Sequence, residues 1–194
     1  NNGTMIINGT IEEPVVFTST NIVHPEEHTG AWGGFIMKSA TSRLIANCAI
    51  FAGGGGATSF SFSPGGSHRS EQPVLFLQYG AGAFLTNSAI INTAGQIGNG
   101  YQSDLTFDHC HIQRAITCGE YVGGTIIVNH TAIFEFPIDD GVVDTDIADA
   151  DYDGIYFTEG THILLNSLFG FAKDDAIDSG SGGAGTVLLS NCWV

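Results

Sequence analysis

Apolar residues fall along this chain in short runs, each strand-like and rich in Ile, Val, Leu and Phe, with Gly-rich breaks between them. No stretch holds a helical period for long, so short strands are predicted throughout. Laid over one another, "LIANCAIF", "FLTNSAII", "LTFDHCHI", "IIVNHTAI", "ILLNSLFG" and "VLLSNCWV" agree in pattern. One column reads Asn47, Asn87, His109, His130, Asn166, Asn191, and the next Cys48, Ser88, Cys110, Thr131, Ser167, Cys192. The column spacings are 40, 22, 21, 36 and 25 residues, a base period near 21 that stretches where segments are inserted. A period of that size is the signature of a repeat architecture.

One such repeat makes two or three short strands, and successive repeats stack at the strand spacing of about 4.8 Å. Like side chains then lie on like, and a column of Asn amides can pass hydrogen bonds from repeat to repeat. Glycines serve corners where the backbone needs positive φ. The fold predicted is all-β: a right-handed parallel β-helix of about eight turns, the hand following that of parallel crossovers. Residues 1–194 form a single domain with two long insertions, 53–72 and 137–153. The chain opens on "GTMIINGTI" and closes on "GTVLLSNCWV", both strand-like and without an amphipathic capping helix. Open strand edges imply further copies stacked end to end, or a longer parent protein of which this is a segment. End-to-end stacking that does not close gives a filament.

The ladder changes how tempting residues are read. Alternation in "DHCHI" puts His109 and His111 on one side of a strand, and His109 stacks on His130 one repeat later. A metal site there competes with a ladder role, because other repeats hold plain Asn at the same position. Cys48, Cys110 and Cys192 read as small ladder residues separated by about 10 Å or more, beyond the disulfide reach of about 7 Å. Cys110 and Cys118 are the one pair the spacing leaves open, so Cys count does not decide the redox compartment.

Composition narrows the partners. Five Lys and Arg against 20 Asp and Glu give a formal charge of −15. Such a chain cannot bind nucleic acid by neutralising phosphates, and it repels polyuronates and anionic membranes unless divalent ions intervene. No run of 18 apolar residues occurs, so no membrane insertion is expected. The chain lacks a signal-peptide pattern and an initiator Met, and Asn1 reads as a processed or excised start. Sequons at Asn2, Asn8 and Asn129 suit a secreted or cell-surface glycoprotein.

The stretch "PIDDGVVDTDIADADYD" carries seven Asp. Within it "DADYDG" spells D-x-D-x-D-G, alternate hard oxygens before a Gly turn, which can wrap a calcium ion. The twelfth position is Gly160 where a bidentate Glu belongs, and Glu159 sits one place early. The expected calcium ligands are Asp146, Asp149, Asp151 and Asp153, with Asp178 from the following repeat. A merely solvated acidic loop is the alternative.

The segment from "DYDGIYF" through "AKDDAIDSG" to "SNCW", residues 152–193, resembles the catalytic region of polygalacturonase-type glycoside hydrolases of the pectin-lyase-like superfamily. That family's Asn-Thr-Asp-Gly turn matches "DYDG", and its Gly-Asp-Asp matches "AKDD". The resemblance implies an inverting hydrolysis in which Asp153, Asp174 and Asp175 divide the acid and base work. Ala172-Lys173 replace the usual Gly, Tyr152 replaces Thr, and the family's Gly-His-Gly would fall just beyond Val194. Upstream, "PVVFTS" and "GAWGGFIMKS" resemble the β-helical repeat regions of bacterial surface and adhesin-like proteins.

The expected function is therefore an extracellular or cell-surface module that binds polysaccharide or builds a surface assembly, with an Asp-rich calcium site. Polygalacturonase-like hydrolysis is the alternative, and a structural subunit of a stacked filament a second. Trp32, Tyr101, Tyr152 and Tyr156 are candidates to stack on sugar rings, although aromatics also stack inside such folds.

Overall fold

The computed structural model describes residues 2–23, 32–57, 71–135, 153–172, 175–180 and 185–194. Among them every regular element is a β-strand, and no helix is long and apolar enough to cross a membrane. In chain order the strands begin with β1 (Thr4–Asn8), β2 (Val15–Phe17), β3 (Phe35–Met37), β4 (Arg43–Asn47), β5 (Ala49–Ala52), β6 (Gly56–Ala57) and β7 (Glu71–Gln72). There follow β8 (Leu75–Gln78), β9 (Gly82–Thr86), β10 (Ala89–Ile91), β11 (Gly98–Asp108), β12 (His111–Gln113) and β13 (Gly119–Asn129). The last are β14 (Ala132–Phe134), β15 (Tyr156–Thr158), β16 (Gly160–Leu165), β17 (Leu168–Gly170), β18 (Asp178–Ser179) and β19 (Gly185–Ser190).

The larger sheet runs β1-β4-β9-β11-β13 and on through β16 to β19. Its other arm runs β3-β8-β11-β13-β15-β18, because β11 and β13 are long enough to pair in both arms. The smaller sheet is β2-β5-β10-β12-β14-β17. Pairing is parallel throughout both sheets, while β6 and β7 pair antiparallel at the base of the 53–72 insertion. The interior of that insertion and residues 137–152 lie outside the described residues.

The register follows the sequence period. Thr4 faces Arg43, Arg43 faces Gly82, and the column continues through Asp104, Thr125, Thr161 and Thr186, in steps of 39, 39, 22, 21, 36 and 25 residues. The 40-residue spacing that set Asn47 beside Asn87 is one residue out: Asn47 faces Thr86, and Cys48 is the residue equivalent to Asn87. A one-residue slip would turn each side chain to the other face. Burial settles it, since buried Leu44 and Ala46 face buried Ala83 and Leu85.

The corner between the two sheets explains the polar columns. Cys48, Asn87, His109, His130, Asn166 and Asn191 all take left-handed backbone there, with φ between 46° and 55°. Asn and His tolerate that region better than most side chains. The residue that follows turns inward and joins the repeats. Ser88 Oγ accepts the Ala49 N–H at 3.0 Å, Thr131 Oγ1 the Cys110 N–H at 3.0 Å, and Ser167 Oγ the Thr131 N–H at 3.1 Å. Each hydroxyl also donates to the carbonyl two residues back, that of Thr86, Asn129 or Leu165. The Cys110 and Cys192 thiols donate to the equivalent carbonyls of Asp108 and Ser190.

All four cysteines, Cys110 and Cys118 included, are free. Burial pushes the Cys110 thiol up to about 11 and that of Cys118 higher still, so both are held as inert thiols.

Inward-facing columns build the core. Ala46, Leu85, Phe107, Val128 and Leu164 line the larger sheet, and Phe51, Ile90, Ile112, Ile133 and Phe169 the smaller. Fully burying such side chains contributes about 1.5–3 kcal/mol each. In the other arm Tyr121 fills space that only glycine leaves open: a Cβ on Gly98 would lie 2.2 Å from the Tyr121 hydroxyl.

Candidate functional site

Two groups of polar side chains stand out, one at Asp153 and one at the corner beside Asp108. Asp153 precedes β15 and is 3% exposed. Its Oδ1 accepts the Asp175 N–H at 3.2 Å, and the Gly154 N–H donates to the Asp175 carbonyl at 2.7 Å. On the other side the Cys118 N–H donates to the Gly154 carbonyl at 2.7 Å, so Asp153 is clamped between two neighbouring repeats. Gly154 makes this close approach feasible, since a Cβ there would lie 2.3 Å from the Ala176 carbonyl oxygen.

The structure thus brings Asp153 and Asp175 together, one carboxyl buried and the other exposed. Asp178 starts β18, in register with Tyr156. Asp146, Asp149, Asp151, Tyr152 and Asp174 lie outside the described residues.

A polar row unforeseen from the sequence runs beside this corner. Asn99, Glu120, Tyr156 and Asp178 stand in register on the larger sheet. Asn99 and Glu120 are buried, with Asn99 Nδ2 donating to Glu120 Oε2 at 3.4 Å, while Asn99 Oδ1 makes no hydrogen bond. The signal was present in "GNGYQ" over "GEYVG", but only strand pairing reveals that the two segments overlie one another.

Asp108, His109 and His130 form the second group, their ligand atoms within 4.8 Å of one another. His109 Nδ1 lies 3.0 Å from Asp108 Oδ1, which also accepts from Asn129 Nδ2 at 2.8 Å. The His109 and His130 rings stack with centroids 4.6 Å apart and planes at 16°. His111 goes elsewhere. The corner at His109 separates the two strands, and His111 opens β12, where it meets Gln113 and the Phe134 ring edge.

Along the same corner the amides do link up. Asn47 donates to Asn8 at 3.5 Å and Asn87 to Asn47 at 3.2 Å. After the His pair, Asn166 donates to Asn129 at 3.2 Å and Asn191 to Asn166 at 2.9 Å. The sequon residues Asn8 and Asn129 both belong to this row, while Asn2 accepts a bond from Ser39 at 2.6 Å.

Of the aromatic candidates, Trp32 donates its Nε1–H to the Ala52 carbonyl at 2.8 Å and packs on Phe17 and Phe35. Tyr101 is half-buried and meets exposed Tyr79 edge-on at 5.8 Å. Tyr156 is half-buried between Glu120 and Asp178 in register. No family model matches this chain, and neither does any curated protein or solved structure.

Proposed function

We propose that the two sheets wind into a right-handed parallel β-helix of the pectin-lyase-like kind, a single domain serving as a secreted or cell-surface module that binds polysaccharide. One observation carries this reading: two outward amide runs, Asn8–Asn47–Asn87 and Asn129–Asn166–Asn191, each joined side chain to side chain and advancing by one strand spacing per repeat. Planar amides donate and accept in a fixed plane, as sugar hydroxyls require, and a repeating polymer suits a repeating surface. The net charge of −15 favours a neutral glycan, or an acidic one bridged by calcium. Calcium is the ion expected at the Asp153 corner, with exposed Asp175 and the adjoining acidic stretch supplying oxygens.

Hydrolysis is the second reading, favoured by the meeting of Asp153 with Asp175. It requires one carboxyl to protonate a leaving oxygen and another to activate water, both within reach of substrate. The buried Asp153 carboxyl is already engaged with a backbone N–H, which favours binding over catalysis. End-to-end assembly of copies is compatible with either.

Affinity electrophoresis against neutral and acidic polysaccharides, with calcium and with chelator, tests the proposal. Retardation by at least one glycan, weakened in N166A, is expected, and no retardation by any would sink it. Calcium should also raise the melting midpoint of the wild type and not of D175N. Identical midpoints with calcium and chelator would reduce the acidic corner to solvated charge. Reducing-sugar release that disappears in D175N would put the hydrolase reading in its place.

A further inference from the structure

Between Asn87 and Asn166 the corner changes chemistry. Two successive repeats carry imidazoles where the repeats on either side carry Asn87 and Asn166, and Asp108 stands directly before the first of them. A ladder role alone calls for Asn, which takes the same backbone at Asn87, Asn166 and Asn191 and hydrogen-bonds to its neighbour in each case. His109 and His130 instead stack their rings on each other and leave both side chains exposed. With its proton on Nε2, the neutral His109 ring presents the Nδ1 lone pair 3.0 Å from Asp108 Oδ1, so both atoms can face one ion.

The geometry points to a surface site for a borderline divalent transition ion of the zinc class, held by His109, His130 and Asp108, with water completing the shell. Imidazole nitrogen selects zinc, nickel or copper over calcium or magnesium, so this site is chemically distinct from the Asp153 corner. Ligand atoms around tetrahedral zinc lie about 3.3 Å apart, given bonds of about 2.0–2.1 Å. The three atoms already lie within 4.8 Å of one another, and exposed side chains cover the rest by rotation. Long-range attraction from a chain of charge −15 adds to the local carboxylate. The inference does not rest on glycan binding.

The repeat itself supplies the controls. H109N and H130N place at the corner the residue that three other repeats carry there, and D108N places an Asn in register with Asn47 and Asn129. All three variants should fold with an unchanged melting midpoint in chelator. Titration of the full chain with zinc chloride by calorimetry should show saturable binding that H109N and H130N each weaken roughly tenfold or more. D108N should weaken it too, and cobalt should give a visible absorption band that the His variants lose. Seven His are present in the chain, so the variants and not the stoichiometry assign the site. Zinc binding left unchanged in both His variants, or absent from the wild type, would overturn the inference.

Discussion

His162 is the residue most at odds with its neighbours. It stands in register with Leu44, Ala83, Leu105 and Ile126, in an inward-facing aliphatic column, and is 1% exposed. Its Nε2 faces the Glu159 carbonyl, its ring stacks on Phe157 at 4.2 Å, and its Nδ1 has no partner. Protonating Nδ1 would place an unpaired charge in the core, so burial lowers the pKa, opposed by the Glu159 carbonyl. The folded value thus lies below the unfolded one, near 6.5. The unfolded chain takes up the proton first as pH falls, and stability that is full above that value declines below it. Urea denaturation at about pH 7.5 and about pH 5.5 should show the wild type losing more stability than H162L. Equal losses would mean that His162 does not titrate on unfolding.

At the scale of elements, the strands are joined by the side chain that follows each corner. The hydroxyls of Ser88, Thr131 and Ser167 satisfy backbone N–H groups that the ladder leaves unpaired where the chain changes sheet. T131V keeps the shape of the side chain and removes its oxygen, leaving the buried Cys110 N–H without a partner. The expected cost is about 1–3 kcal/mol, read from the urea midpoint, whereas T131S should retain most of the stability. A T131V protein as stable as the wild type would show that the hydroxyl only fills space.

Over the whole molecule, charge opposes compactness. With 20 acidic residues against five basic ones, folding gathers carboxylates that dilute solution would keep apart. Raising sodium chloride from about 10 mM to about 150 mM shortens the screening length from about 30 Å to about 8 Å. The melting midpoint should rise over that range, with little further gain beyond it. A midpoint that falls or stays constant would show that repulsion among the carboxylates does not limit stability.

Periodicity along the chain was enough to predict parallel strands, the polar corner column, the unpaired Cys48 and Cys192 and the approach of His109 to His130, while the state of Cys110 and Cys118 stayed open. Each follows from local preference repeated at a near-constant interval, because parallel stacking lays like residues on like. Register in the early repeats was not legible to the residue: both Asn47 and Cys48 could start the corner, and burial of Leu44 against Ala83 decided between them. The first repeat, opened by β1, reads as strand-like but stands outside the aligned columns, because "TMIINGTI" has Gly9 and Thr10 where later repeats carry Asn or His and then a small polar residue. The place of Asp178 opposite Tyr156, the engagement of Asp153 by a backbone N–H and the burial of Asn99 and Glu120 depend on which segments lie side by side. Those are consequences of strand pairing between residues distant in the chain, where a shift of a single position exchanges core for surface.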